Sequence, residues 1–283
     1  LRKQGYAQRS YVHAANRSTP RPVQVQNLSF HGCTFELLEC ENCSVTDVEL
    51  LYPTYDPAAD AMNHVPATTL IQGAHAEISR VHLAYSNNAG LMLVGSGHSV
   101  SEVLIESTCW LGSLAFPPLK IGFSIHKPGL RSSNGLRSST GMPDGVGNTV
   151  TRSTVRGFGN SGIVTSQLSN EIHHTHVSRG GLIGGDDACI HSDNAPVPCD
   201  QGANCTKDWH HTWVHDCREK CVRCDDGSRG CSIHHMVVFN CGTPLHNGAP
   251  AGILVKGDDN SVWDATIFNV SSAGQGDLVA ITE

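Results

Sequence analysis

The sequence predicts an all-β fold, a right-handed parallel β-helix in which a single-stranded solenoid carries loop insertions, and three observations support that expectation. An apolar or small residue recurs at positions 0, 3 and 5 of a short frame that appears nine times. A second apolar strand follows the frame at an offset of 13 residues in four coils. No long segment carries the 3.6-residue period of an amphipathic helix.

The frames run in order from Val25-Leu28-Phe30 and Val45-Val48-Leu50 through Ile78-Val81-Leu83, Val100-Val103-Ile105 and Val150-Ser153-Val155. They continue as Ile172-Thr175-Val177, Trp209-Thr212-Val214, Ile233-Met236-Val238 and Val262-Ala265-Ile267. Several starts lie 20 to 24 residues apart, the length of one coil, and the wider gaps hold insertions near residues 52–68, 111–147 and 194–206. The constant offset links Val25 to Leu38, Ile78 to Leu91, Val150 to Ile163 and Trp209 to Val222. An antiparallel sandwich also uses short, regularly spaced strands, but it does not predict a coil-length repeat with an internal 13. No coil can bury its inner face alone. Stacked about 4.8 Å apart, nine coils give a rod on the order of 40 Å long with one continuous interior. Residues 1–24 lie outside the repeat as an N-terminal segment, and residues 25–283 form the β-helix.

Composition narrows the function. Charged residues are only 16% of the 283 and the formal net charge is -7, so no basic footprint for a nucleic acid exists. No apolar stretch is long enough to span a membrane. The absent initiator Met, and an end inside an apparent strand at Ile281-Thr282-Glu283, suggest a piece of a longer protein. Eight of the twelve cysteines lie between Cys189 and Cys241, which points to disulfides or metal, with disulfides preferred, and to an extracellular or secretory-pathway location. Sequons at Asn16, Asn27, Asn42, Asn204 and Asn269 agree with that setting. Cys217 and Cys241 hold the same place after their frames, and Cys189 and Cys221 each precede a second-strand residue. Vertical stacking therefore predicts the bridges Cys217–Cys241 and Cys189–Cys221, with Cys199–Cys205 closing the loop between coils. For Cys40-Glu41-Asn42-Cys43 a turn disulfide is preferred over zinc or redox chemistry.

The stretches Trp209 to Asp216, Arg223-Cys224-Asp225-Asp226-Gly227-Ser228, Ile233-His234-His235 and Gly252 to Asn260 resemble the right-handed β-helix repeat proteins of the pectate lyase-like superfamily. The likeness extends over roughly residues 148–270 and is weaker over 25–105. It implies a carbohydrate-active role, as in β-helical glycoside hydrolases and polysaccharide lyases. Two departures matter. Gly185-Asp186-Asp187-Ala188-Cys189-Ile190 resembles the Gly-Asp-Asp-Cys segment of polygalacturonases but has an inserted Ala, and their Gly-His-Gly element has no counterpart, so their mechanism is not carried over. The Asn that relatives often place at frame position 3 is replaced by Thr175, Thr212, Met236 and Ala265.

Fold alone does not name a function, so the chemistry must come from side chains that meet. Aligning Ile190, Val222 and Ile253 places Asp193, Asp225 and Lys256 in one outward column, with His191 and Arg223 two residues before the carboxylates. These five, with Asp226, are the candidate catalytic residues, and Asp187 joins them as a substrate-binding candidate. Equivalent carboxylates on adjacent coils lie about 5 Å apart, the spacing of a retaining glycosidase. Lys256 then keeps Asp225 ionised as nucleophile, while the like charge of Asp225 keeps Asp193 protonated as general acid. In a lyase the same carboxylates hold a cation such as calcium, and Lys256 or Arg223 removes the C5 proton. The bland alternative is a solvated charge ladder. Tyr52, Tyr55 and Trp110, beside the insertions, supply rings for sugar stacking or simply seal loops onto the rod. The pairs His173-His174, His210-His211 and His234-His235 stack at a corner, and with no carboxylate or Cys sharing their spacing no metal site is assigned. The leading expectation is a secreted polysaccharide-active enzyme, hydrolase ahead of lyase, needing no cofactor unless calcium serves a lyase. Its partner is a polysaccharide or glycan. A non-catalytic carbohydrate-binding or adhesin module is the alternative.

Overall fold

The strands pair in parallel with partners a whole coil away in sequence, so that the chain winds around a common axis. The structure is a computed structural model and describes residues 10–12, 22–53, 69–87, 89–110, 119–123, 145–165, 169–183, 187–192, 206–225, 228–242, 251–271 and 277–282. Among these no helix occurs, and none is long and apolar enough to cross a membrane. Among the described residues sheet I has ten strands, including Leu91–Ser96, Ile163–Thr165, Ala188–Ser192, Lys220–Cys224 and Ala251–Lys256. Sheet II wraps the rest of the circumference with the frame residues. Connections between parallel strands of one sheet take the right-handed sense, and the result is a right-handed parallel β-helix. Two strands of sheet I come from segments without a frame: Ser10–Val12 pairs with Phe35–Glu41, and Leu119–Phe123, inside the long insertion, pairs with Leu91–Ser96 and Ile163–Thr165.

The spacing 0, 3, 5 has a backbone cause. A straight strand would bury positions 0, 2 and 4. In all nine frames the residue at position 2, from Asn27 and Asp47 to His235 and Asp264, is left-handed with φ between 46° and 57°. That residue bends the strand and moves the inward set to 0, 3 and 5. Position 7 is left-handed too, with φ between 51° and 69° from Gly32 to Asn269, and turns the chain toward sheet I. Inward residues from Val45 through Val238 are buried, including Trp209 and Ile233 at 0% exposure, whereas the last frame, Val262-Ala265-Ile267, is only half-buried. Each buried aliphatic side chain contributes about 1.5–3 kcal/mol.

Polar side chains hold the two bends. At position 3 the hydroxyls of Ser153, Thr175 and Thr212 donate to the carbonyls of Thr151, His173 and His210, at 2.8, 3.0 and 2.9 Å, bridging the left-handed residue between them. Two residues before each frame lies an inward column that includes Ala76, His98, Asn148, Asn170, Lys207, Cys231 and Asn260. Its side chains take up backbone groups at the corner with sheet I. Asn148 Oδ1 accepts from the His98 amide (2.9 Å), Asn260 Oδ1 from the Cys231 amide (2.8 Å) and His98 Nδ1 from the Ala76 amide (3.2 Å). Asn148 Nδ2 donates to Asn170 Oδ1 at 3.0 Å. The internal Asn ladder exists, but at this column and not at position 3.

The alignment of sheet I holds where the site was expected, since Ile163, Ile190, Val222 and Ile253 share one register. It fails in the first coil. There Phe35 and Leu37 point inward, while Leu38 packs with Leu70, Met92 and Val94 in a separate apolar cluster, and the register shifts between Leu37 and Cys40. The 13-residue offset therefore does not extend to Val25 and Leu38.

The disulfides correct the expected pairing. Cys217 and Cys241 are register partners, yet the bonds are Cys189–Cys217 and Cys221–Cys241, each joining the start of a sheet I strand to the corner of the next coil. Vertical neighbours in parallel strands point the same way, so their Cβ atoms stay about 4.8 Å apart, beyond the roughly 3.5–4.5 Å a disulfide needs. The diagonal pairs face each other with Cα separations of 6.1 and 5.6 Å. Cys40–Cys43 is the turn disulfide expected, and Cys224–Cys231 is an additional bridge. Cys199 and Cys205 lie outside the described residues.

Candidate functional site

His191 stands beside Arg223, and Arg223 beside Leu254, on adjacent strands of sheet I, all alternating with the inward set. Two residues on, Asp225 and Lys256 occupy the next outward column, just past the strand end at Cys224 and at the end of Ala251–Lys256. The structure thus brings four of the six catalytic candidates into one cluster. Asp193 and Asp226 lie outside the described residues.

The cluster is centred on the Asp225 carboxylate. Arg223 Nη2 donates to Oδ1 at 2.6 Å, Lys256 Nζ lies 3.3 Å from the same oxygen, and His191 Nε2 lies 3.3 Å from Oδ2. Side-chain exposure is 6% for Arg223, 8% for Asp225, 15% for His191 and 23% for Lys256, so accessibility rises from the guanidinium to the ammonium. Asp225 is not the solvated outward carboxylate that strand alternation implied. Its oxygens lie against the Arg223, Lys256 and His191 side chains.

Behind His191 lies a second group, of which the sequence singled out Asp187 alone. Ser161 Oγ is 3.5 Å from His191 Nδ1 and donates to Asp187 Oδ1 at 3.3 Å. The Asp187 amide donates to Glu219 Oε2 at 2.9 Å, and Lys220 Nζ pairs with the same oxygen at 3.3 Å. Asp187 is 2% exposed and braces the corner through these bonds. Ser161, immediately before Gly162 and a sheet I strand, had no motif to mark it. Its role depends on the coil above.

The aromatic candidates fall elsewhere. Tyr52 is exposed and stacks on Tyr85 with ring centroids 5.0 Å apart, at the end of an early frame, and Trp110 is exposed after another. Both precede the cluster by several coils. Tyr55 lies outside the described residues.

A separate polar stripe occupies the bend of sheet II. His173, His210, His234 and Trp263 stack in one column, and His174, His211 and His235 in the next, with successive centroids 4.2 to 5.1 Å apart. Stacking at a corner is as expected, but the expectation that no carboxylate shares the spacing is overturned. Glu171 Oε1 is 3.2 Å from His210 Nε2, and Asp208 Oδ1 is 2.9 Å from His234 Nε2.

Among solved structures the chain is similar to the crystal structure of pectate lyase Pel9A, with a TM-score of 0.45 and 10% identity over 98% of this chain and 67% of that one. No protein-family model matches the chain, and no curated protein matches it.

Proposed function

We propose that this β-helix acts on an anionic, uronate-bearing polysaccharide at the His191–Arg223–Asp225–Lys256 cluster, cleaving it by β-elimination. The observation that carries this reading is the enclosure of Asp225 by Arg223, Lys256 and His191. Buried ion pairs add little net stability, so a nearly buried charge cluster on an outer sheet face is better explained by a ligand. Among the described residues it sets one carboxylate against a guanidinium and an ammonium, a balance that favours an anion. The long outer face of sheet I suits an extended polymer, and the sequence resemblance to the pectate lyase-like superfamily agrees.

The same enclosure moves the chemistry away from hydrolysis. Asp225 can attack a sugar only by leaving its cations, and it has no spare charge with which to hold calcium. Arg223 instead neutralises the uronate carboxylate and the enolate that forms beside it. Lys256, the most accessible member, first gives its ammonium proton to solvent and then, as the free amine, takes the C5 proton. The C5–H electron pair becomes the C4–C5 double bond, and the C4–O bond breaks, its oxygen taking a proton from water. Asp225 is a positioning residue that fixes Arg223, Lys256 and His191.

Incubation with a panel of polyuronates, followed by ultraviolet absorbance and reducing-end assay, tests the reading. Elimination gives absorbing unsaturated ends, unaffected by a chelator. New reducing ends without absorbance would replace elimination with hydrolysis, and binding without turnover across the panel would make the protein a carbohydrate-binding module.

A further inference from the structure

We propose that Glu171, His173 and His210 form a three-ligand site for a divalent transition-metal ion, zinc being the biological candidate, on the bend of sheet II between two adjacent coils. The site is remote in register from the Asp225 cluster and independent of the glycan reading. Strands Asn170–His173 and Lys207–His210 pair with His173 opposite His210, which sets the two imidazoles face to face at 5.1 Å. Glu171, two residues before His173 on the same face, reaches both rings. Its Oε1 lies 3.2 Å from His210 Nε2 and 3.9 Å from His173 Nε2, and all three ligand atoms fall within 4.8 Å of one another.

Two histidines and a glutamate, with a fourth position open to water, form a zinc ligand set with bonds of about 2.0–2.2 Å. The Glu171 side chain is 44% exposed, so a rotation of the carboxylate and small ring movements close the set around an ion. The outer histidines supply the support that metal-bound imidazoles require. His173 Nδ1 lies 2.8 Å from His174 Nδ1, and His210 Nδ1 lies 2.7 Å from His211 Nδ1. When both Nε2 atoms face the ion, each Nδ1–H donates outward to the neighbouring ring, which fixes tautomer and orientation. The ion takes the Nε2 lone pair, and the proton that Nε2 otherwise presents to Glu171 moves to Nδ1 of the neutral ring.

The repeat confines the site to one coil junction. The strand below places Thr149 and Thr151 at the matching positions, and the strand above Cys231–His234 places Trp263 opposite His234. Asp208 and His234 repeat part of the arrangement one coil on. The closed three-ligand group occurs, among the described residues, at Glu171, His173 and His210 alone.

The test uses untagged, disulfide-intact protein in a Cys33→Ser background, stripped with a chelator, checked for folding by circular dichroism and titrated with zinc and with cobalt(II). One saturable equivalent, a visible cobalt ligand-field band and a rise in melting temperature are expected, with no response to calcium or magnesium. Glu171→Gln and His173→Gln should each weaken binding at least tenfold and abolish the cobalt band, while His235→Gln leaves both intact. Absence of saturable binding in the parent protein would overturn the proposal. So would binding that survives Glu171→Gln and His173→Gln in folded protein, or that His235→Gln removes equally.

Discussion

Asp225 holds three side chains in place, and its replacement is felt by all of them. Asp225→Ala leaves the Arg223 guanidinium, 6% exposed, without its 2.6 Å partner. Removing one partner of a buried ion pair costs about 3–5 kcal/mol, so the variant should lose up to that much in urea denaturation. Lys256→Met, at the more exposed rim, should cost under about 1 kcal/mol and is the sounder probe of chemistry. His98 offers a second residue-level test. Burial holds its imidazole down to about 4 from 6.5, outweighing the opposite pull of the hydrogen bond to the Val94 carbonyl, while His75 adds to the lowering. The folded protein then binds fewer protons than the unfolded chain between those values. This contribution is complete above pH 6.5 and is lost as the pH falls toward 4, by about 3 kcal/mol at most. His98→Asn, which installs the side chain that Asn148 and Asn170 already use in the same column, should flatten the stability profile in that window. An unchanged slope would mean that another group drives the acid sensitivity.

At the scale of the coil, the bends decide what can be read in advance. The left-handed residues at position 2 explain the spacing of the inward positions, yet they include Arg80, Glu102, Arg152 and His211, types with no shared turn signature. The frame was therefore visible in the sequence and its cause was not. The corner column was hidden for a related reason, because His98, Asn148, Lys207 and Cys231 satisfy one corner with different chemistry. The Asp225 column was legible because hydrophobic alignment fixed its register. Its burial was not, since that depends on how neighbouring side chains close over it. Two substitutions test the bends. Arg152→Val should destabilise by about 1–2 kcal/mol, because a β-branched residue resists φ near 46°, whereas Arg152→Asn should be close to neutral. Asn148→Ala removes the acceptor of the buried His98 amide and should cost about 1–3 kcal/mol. Equal stability of Arg152→Val and Arg152→Asn in thermal melts would contradict the left-handed assignment.

Over the whole molecule, the diagonal disulfides couple consecutive coils. They close spans of 28 and 20 residues, each worth about 3 kcal/mol in the chain-entropy account. Non-reducing peptide mapping should recover Cys189–Cys217 and Cys221–Cys241. Vertical pairs would mean that the two sheets meet at a different angle. The disulfides are compatible with an oxidising compartment, and the rod they brace presents the Asp225 cluster on one face and the histidine stripe on another. The functional account depends on the first of these faces. Its most direct test is the initial rate of cleavage of a polyuronate and of its carboxyl-reduced, neutral counterpart, measured for the parent protein and for folded Lys256→Met. The account predicts turnover of the polyuronate alone, with ultraviolet-absorbing ends, and its loss in Lys256→Met. Equal rates on both polymers, or near-native turnover by Lys256→Met, would contradict it.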